Sequence, residues 1–216
     1  MISKNLKFGI ISKYVTLKSL ESYTSHKYGS CIMSLTGYTF LQSSLHWFSA
    51  PALLSSIGLV LTAQQTGKGE KTFGMGKGDL MYYHKSFGTL SFFLLLPRLS
   101  TKLLSPKVGA LLTSSSFEQK AANISHRLLY GFITVMPVTG VAMGMWGGKG
   151  LPFFGRDFKA FQKKNGTIAK YSFKIHKTIG TYGKYLVPLH VGAAGVHGLQ
   201  KGGIMWRINP FRNGRM

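Results

Sequence analysis

The chain has 216 residues, enough for one domain or one helical bundle, and 44% of them are hydrophobic. Lys and Arg number 27 against five Asp and Glu, a formal net charge of +22, which in a soluble protein points to nucleic acid. The basic residues instead fall between apolar blocks, with no zinc-finger, RNA-recognition or helix-turn-helix pattern, so nucleic acid is set aside as a partner.

Residues 1–40 form a basic arm with no acidic residue before Glu21 and lysines spaced among Ile, Leu, Phe and hydroxyl residues. That make-up is expected of a mitochondrial targeting segment, and equally of an amphipathic helix lying on a membrane surface. The arm is expected to be retained as an uncleaved signal, ordered in place and covered by other subunits. The first membrane segment, Leu41 to Ala63, has no charged residue and is long enough for a hydrocarbon core of roughly 30 Å. A Gly- and Lys-rich loop follows. The second segment, Tyr82 to Leu104, is flanked by Lys85 and Arg98, which are expected to snorkel to opposite interfaces. A Ser-rich connection through Lys120 leads to the third, Ile124 to Trp146, where Pro137 is expected to kink the helix. Residues 147–174 read as a basic loop with an amphipathic stretch in FFGRDFKAFQKK. The fourth segment, Lys174 to Leu199, is rich in Gly and Ala, which suits close packing. The expected fold is therefore all-α: a four-helix integral membrane bundle over residues 41–200, a basic N-terminal extension and a basic tail over 201–216. The basic loops are expected to meet anionic lipid, cardiolipin included, and Lys and Arg are too evenly shared between the two sides to orient the bundle.

An even number of spans puts both ends of the bundle on one side, side A. His46, His126, His190 and His197 then lie toward side A, and His84 and His176 toward side B. His176 and His190 are fourteen residues apart; on one continuous helix that returns to within about 40° of the same face and separates the rings by roughly 21 Å. Ionisable side chains inside a bilayer are costly and usually functional. Two layers of neutral imidazoles suit two stacked, six-coordinate haems built for electron transfer. The single cysteine, Cys31, excludes an intrachain disulfide and a Cys-x-x-Cys-His attachment, so such haems are held non-covalently. In layer B only His84 and His176 are available; in layer A the choice among four histidines stays open. Gly88 and Gly180 each follow a layer-B histidine by four residues, where a missing side chain would let a flat macrocycle approach.

Leu45-His46-Trp47, His84-Lys85 with Arg98 fourteen residues later, His126 before LLYGFITVMPVTG, and His176 fourteen residues before LHVGAAGVH stand in a telling order, closed by Asn209-Pro210. In these features the chain resembles the bacterial-type cytochrome b561 family, over roughly Leu41 to Pro210. The resemblance implies two haems b, one ligated by His46 and His190 and the other by His84 and His176. It leaves His126 and His197 as candidate hydrogen-bond partners of a propionate or quinone, and Arg98 and Arg127 as candidate propionate partners.

Lys184 falls between the two ligands of the fourth segment, near mid-bilayer and about 80° from His176. No carboxylate lies within an apolar segment, so Lys184 is expected to meet one on another subunit or to snorkel into a cavity. The glycine-rich GKGEKTFGMGKG lacks a phosphate-loop Gly-Lys-Ser/Thr ending. The expected function is a dihaem membrane electron carrier working with ubiquinone in the mitochondrial inner membrane, as a subunit of a respiratory complex. The alternative location is a bacterial plasma membrane. As an enzyme it would be a quinone-linked oxidoreductase, with superoxide or a dehydrogenase as electron donor. The competing reading is an accessory structural subunit that keeps the cytochrome fold without essential turnover.

Overall fold

The computed structural model describes residues 37–105, 108, 115–201 and 204–211. Cys31 and the arm up to residue 36 lie outside the described residues, as do residues 202–203 and 212–216 of the tail.

Helix α1, Phe40–Gln65, opens on a capping box: Thr39 Oγ1 accepts from the Gln42 N–H at 3.2 Å, and Gln42 Oε1 accepts from the Thr39 N–H at 3.1 Å. Helix α2, Lys77–Leu104, starts ahead of the expected Tyr82 because Asp79 Oδ2 accepts from the Gly76 N–H at 3.0 Å. The Ser-rich connection is likewise shorter than its composition implies. Ser115 and Glu118 form a second capping box, so α3 runs Ser116–Trp146 rather than from Ile124. Pro51, Pro97 and Pro137 all lie inside helices that continue through them.

Both connections on side B fold into small antiparallel hairpins, a feature absent from the sequence expectation. β1 (Lys71–Thr72) pairs with β2 (Met75–Gly76), and β3 (Leu151–Phe153) with β4 (Arg156–Phe158). Each turns on a Phe-Gly pair with positive φ: Phe73 at 53° and Gly74 at 76°, Phe154 at 45° and Gly155 at 90°, the signs a two-residue type I′ turn requires. The amphipathic reading of FFGRDFKAFQKK is therefore corrected. The stretch enters a strand and a turn, and α4 begins only at Gly166, where Asn165 Oδ1 accepts from the Ile168 N–H at 3.0 Å.

A second correction concerns the fourth segment. It is not one continuous helix: α4 ends at Gly183 and α5 runs Leu186–Lys201, followed by the short α6, Ile204–Arg207. The cause lies in the sequence. Pro188 has no N–H to offer the carbonyl four residues back, that of Lys184, so the helical ladder lapses at Lys184-Tyr185. His176 and His190 consequently stand on two successive helices, and the simple fourteen-step rotation does not carry from one to the other.

Helix α1 packs mainly on α2, and α3 mainly on α4. The buried positions are largely small: Ser43, Ala52, Ser56, Ala63, Ser86, Thr89 and Ser172, with Leu45, Leu80, Leu95, Phe132 and Val187. The large apolar residues face outward, Phe48 at 70% exposed, Leu96 at 66% and Leu189 at 67%. Small residues at helix contacts and bulky ones outside are the arrangement of helices packed in lipid. Helices α1, α2 and α3 are each long and apolar enough to cross a membrane, and the chain is an all-α membrane bundle. On side A the start of α1 is tied to the segment that follows α6. The Tyr38 N–H donates to the Arg207 carbonyl at 3.2 Å, the Trp47 indole N–H donates to the Ile208 carbonyl at 2.9 Å, and Phe40 meets Phe211 edge-on. Burial pushes the Tyr38 phenol above its usual range, with Arg207 beside it opposing the shift.

Candidate functional site

Layer B is assembled from four helices. His84 on α2 has its Nδ1 2.8 Å from the Ser56 carbonyl of α1, and the Ser56 hydroxyl lies 3.1 Å from the same nitrogen while donating to the His84 carbonyl at 3.2 Å. A carbonyl only accepts, so Nδ1 carries the proton and Nε2 keeps its lone pair. His176 on α4 is held alike: its Nδ1 donates to the Met136 carbonyl of α3 at 3.0 Å, with Thr139 Oγ1 at 3.1 Å. Metal-ligating histidines characteristically donate their second ring nitrogen in this way, which fixes tautomer and ring orientation. The ring centres of His84 and His176 are 6.3 Å apart. Two imidazoles sharing one metal at about 2 Å per bond, each nitrogen about 1 Å from its ring centre, would stand about 6 Å apart. Spacing and tautomers therefore both fit a bis-histidine iron. Among the described residues no group of three or more His, Cys, Asp or Glu converges.

Glycine contributes at a position the sequence reading missed. A Cβ on Gly140 would lie 3.3 Å from His176 Cε1, so the bare backbone of α3 gives that ring its place. The two glycines singled out from sequence behave differently. At Gly180 a Cβ would meet the Met136 methyl at 3.1 Å, while at Gly88 the nearest atom is Ser56 Oγ at an ordinary 3.8 Å. The space before Gly180 is thus taken by a side chain, and only Gly88 keeps an open approach. The proline in the motif around Met136 and Thr139 was visible, but their hydrogen bonds to His176 come from tertiary packing and left no sequence signal.

Layer A is organised otherwise. The ring standing against His190 is His126, at 5.6 Å between centres, while His46 meets Trp47 edge-on and is engaged by Arg98. Arg98 Nη2 lies 3.2 Å from His46 Nδ1, and Nη1 donates to the Leu45 carbonyl at 3.1 Å. Its Nε is buried and without a partner among the described residues. Arg98 and Lys102 both approach the Tyr130 ring, at 6.0 and 5.5 Å from its centre. His46 is within electrostatic reach of Arg98, His190 and His126, and His190 of Arg98, so the four belong to one cluster. Arg127 is exposed on α3, and His197 is half-buried on α5. Lys184 sits at the break between α4 and α5 with its Nζ 5.1 Å from the Tyr185 ring centre.

On side B a basic cleft of about 450 Å³ opens beside layer B, between α2 and the β3–β4 hairpin, lined by Tyr82, Lys85, Lys149, Asp157 and Lys159 among others. The hairpin is clipped to α2: the Phe154 N–H donates to Ser86 Oγ at 3.3 Å, the Gly155 N–H to Tyr82 Oη at 2.6 Å, and Phe154 packs on Phe87.

A lipid-facing helical bundle whose interior offers a histidine pair with free Nε2 atoms points to a membrane cytochrome of the b type. The chain belongs to the prokaryotic cytochrome b561 family, whose model matches residues 37–209. It is similar to cytochrome b561 homolog 1 of Escherichia coli strain K12, 26% identical over 172 residues that cover 79% of this chain and 96% of that protein. Membership brings haem b as the cofactor and electron transfer within a membrane as the activity.

Proposed function

We propose that the chain is a dihaem b cytochrome that carries electrons between the two faces of its membrane, to or from ubiquinone. His84 and His176 hold one haem, and His46 and His190 the other. The observation that carries this reading is the His84–His176 pair, 6.3 Å between ring centres with each Nδ1 proton committed to a carbonyl. For layer A the assignment of His46 and His190 rests on the family resemblance. There His126, Arg98 and Arg127 are the groups available to a propionate or a quinone.

Bound haem supplies a one-electron iron couple. The protein does the rest. The Ser56 and Met136 carbonyls keep the protons of His84 and His176 on Nδ1, so that neither ring has to change tautomer to ligate. Small buried residues bring the helices together. The lysines around the side-B cleft raise the local concentration of anions, which suits superoxide or an acidic protein as the exchanging partner.

The composition of the basic arm supports the mitochondrial inner membrane as the location, with the chain a subunit of a respiratory complex among anionic lipids such as cardiolipin. The prokaryotic family model and the Escherichia coli relative favour a bacterial plasma membrane instead. Fractionation of the native source with an antibody to the chain separates the two. A dithionite-reduced minus oxidised spectrum with pyridine haemochrome quantitation tests the cofactor content. Two haems b per chain are expected, falling to one in His84→Ala; a chain without haem overturns the electron carrier and leaves a structural subunit.

A further inference from the structure

Lys184 stands between the two layers of the bundle. His84 meets His176 at 6.3 Å between ring centres and His126 meets His190 at 5.6 Å, which fixes two levels, and Lys184 follows His176 by eight residues and precedes His190 by six. Its Nζ lies 5.1 Å from the ring centre of Tyr185, a residue 65% exposed, so the ammonium is carried on the outer surface of the helices. Tyr182 beside it is 74% exposed, and Leu189 presents an apolar side chain one turn further on. The helical ladder lapses at the same place, because Pro188 has no N–H for the Lys184 carbonyl. An ammonium, two phenols and a carbonyl short of its helical partner thus come together at a depth where a bilayer has no water to pair them.

Nothing among the described residues answers this charge. Glu70 accepts from the Gly67 N–H, Asp79 from the Gly76 N–H and Glu118 from the Ser115 N–H, all at helix ends and turns, and Asp157 lies in β4. The fifth acidic residue, Glu21, belongs to the basic arm outside the described residues. A second copy of the chain brings the same set at the same levels, and would face ammonium with ammonium. Headgroup phosphates lie about 15 Å away, half of a hydrocarbon core of about 30 Å.

We infer that the break between α4 and α5 seats a transmembrane helix of a different protein, one with an Asp or Glu at mid-depth whose carboxylate pairs with Lys184. The Tyr182 and Tyr185 hydroxyls are donors for the second carboxylate oxygen, and Leu189 offers apolar contact beside them. The pair sets the register of the incoming helix, since a slip of one turn carries the carboxylate about 5.4 Å from the ammonium. This deepens the reading of the chain as a subunit of a larger membrane complex and is independent of its haem content.

The test uses the full chain in its native membranes, with Lys184→Leu and Lys184→Arg each put in place of the wild type. Membranes are treated with dicyclohexylcarbodiimide, which enters lipid, and untreated samples are run on blue-native gels. The reagent activates a carboxylic acid as its O-acylurea; the Lys184 amine, uncharged for the step, displaces dicyclohexylurea, and an amide is left joining the two side chains. Expected in the wild type is a peptide that joins Lys184 to an Asp or Glu within an apolar run of about 18 residues or more from a different protein. This adduct is read on the wild-type chain, so it decides whether or not a variant folds. Lys184→Arg keeps the charge and is expected to migrate in the wild type's complex. In Lys184→Leu the share of chain in that complex is expected to fall on the order of tenfold or more, the partner's carboxylate being left unpaired. An adduct to this chain's own residues, no adduct to a different protein, or a Lys184→Leu share equal to the wild type's would each overturn the inference. If the wild type still migrates in a larger complex, the subunit reading survives that failure; a wild type that migrates as a single chain removes both.

Discussion

Gly140→Ala should separate the stability of the bundle from the state of the haem proposed at layer B. Alanine is favoured over glycine inside a helix by about 1 kcal/mol, and Gly140 lies well within α3. Taken alone, the substitution stabilises. The new Cβ, however, would stand 3.3 Å from His176 Cε1 and 3.7 Å from Nδ1, and it is fixed to helix backbone. The ring has to yield by a few tenths of an ångström, away from bonds of 3.0 Å to the Met136 carbonyl and 3.1 Å to Thr139 Oγ1. A hydrogen bond of this kind contributes about 0.5–1.5 kcal/mol net. Partial loss on the order of 1 kcal/mol, acting unequally on the two iron oxidation states, corresponds to a shift of about 40 mV for one electron, since about 59 mV is tenfold. The assay is a spectroelectrochemical titration of the variant in nanodiscs, with thermal unfolding followed in parallel. Expected are an unchanged or raised melting temperature, a layer-B midpoint moved by tens of millivolts, and an unmoved layer-A midpoint. Equal movement of both midpoints, or none, would refute the claim that Gly140 sets the position of the His176 ring.

Gly183→Ala drives its Cβ into the edge of the buried Phe132 ring and should destabilise by about 1–3 kcal/mol through overpacking. In a Phe132→Ala background the same change should cost much less, which a double-mutant cycle on detergent-solubilised protein reads directly. Trp47→Phe removes the indole donor to the Ile208 carbonyl; limited proteolysis should then cut the tail sooner, and an unchanged rate would show the tie to be unimportant. Because burial raises the Tyr38 phenol above its ordinary value of 10.0, its contribution to the side-A tie is fully present below that pH and is lost as pH climbs through the folded value. Tyr38→Phe should abolish this alkaline loosening, measured as tail cleavage against pH. Lys184→Leu should leave the difference spectrum unchanged and alter blue-native mobility in native membranes; unaltered mobility counts against a carboxylate from another subunit.

The spans were legible because apolar runs between basic loops have one reading in a chain of this charge, and α1 lies within a few residues of its expected limits. Helix starts were less so. Apolarity marks where a helix enters lipid, whereas Asp79 and the Ser115–Glu118 box begin α2 and α3 in polar sequence ahead of it. The break before α5 could have been found from Pro188, since the missing N–H fixes which carbonyl goes unpaired. The layer-B pair was readable by exclusion, only two histidines being on that side, and the structure brings them ring to ring. Layer A was not, because four histidines compete there and proximity is decided by helix rotation, which no spacing rule carries through a broken helix. The bonds from Ser56, Met136 and Arg98 were beyond reach for the same reason: two of the three bonding groups are backbone carbonyls, which every residue has.

The clip between the β3–β4 hairpin and α2 bears on how quickly an electron can move. With Phe154 and Gly155 bonded to Ser86 and Tyr82, the helical turn that carries His84 is gripped by the loop on one side and by Ser56 on the other. Dipoles that cannot swing when the charge beside them changes do not have to be rearranged at each oxidation and reduction. With His84 ligating as proposed, the turn that carries it is suited to fast, repeated exchange at side B, with the loop serving as a brace.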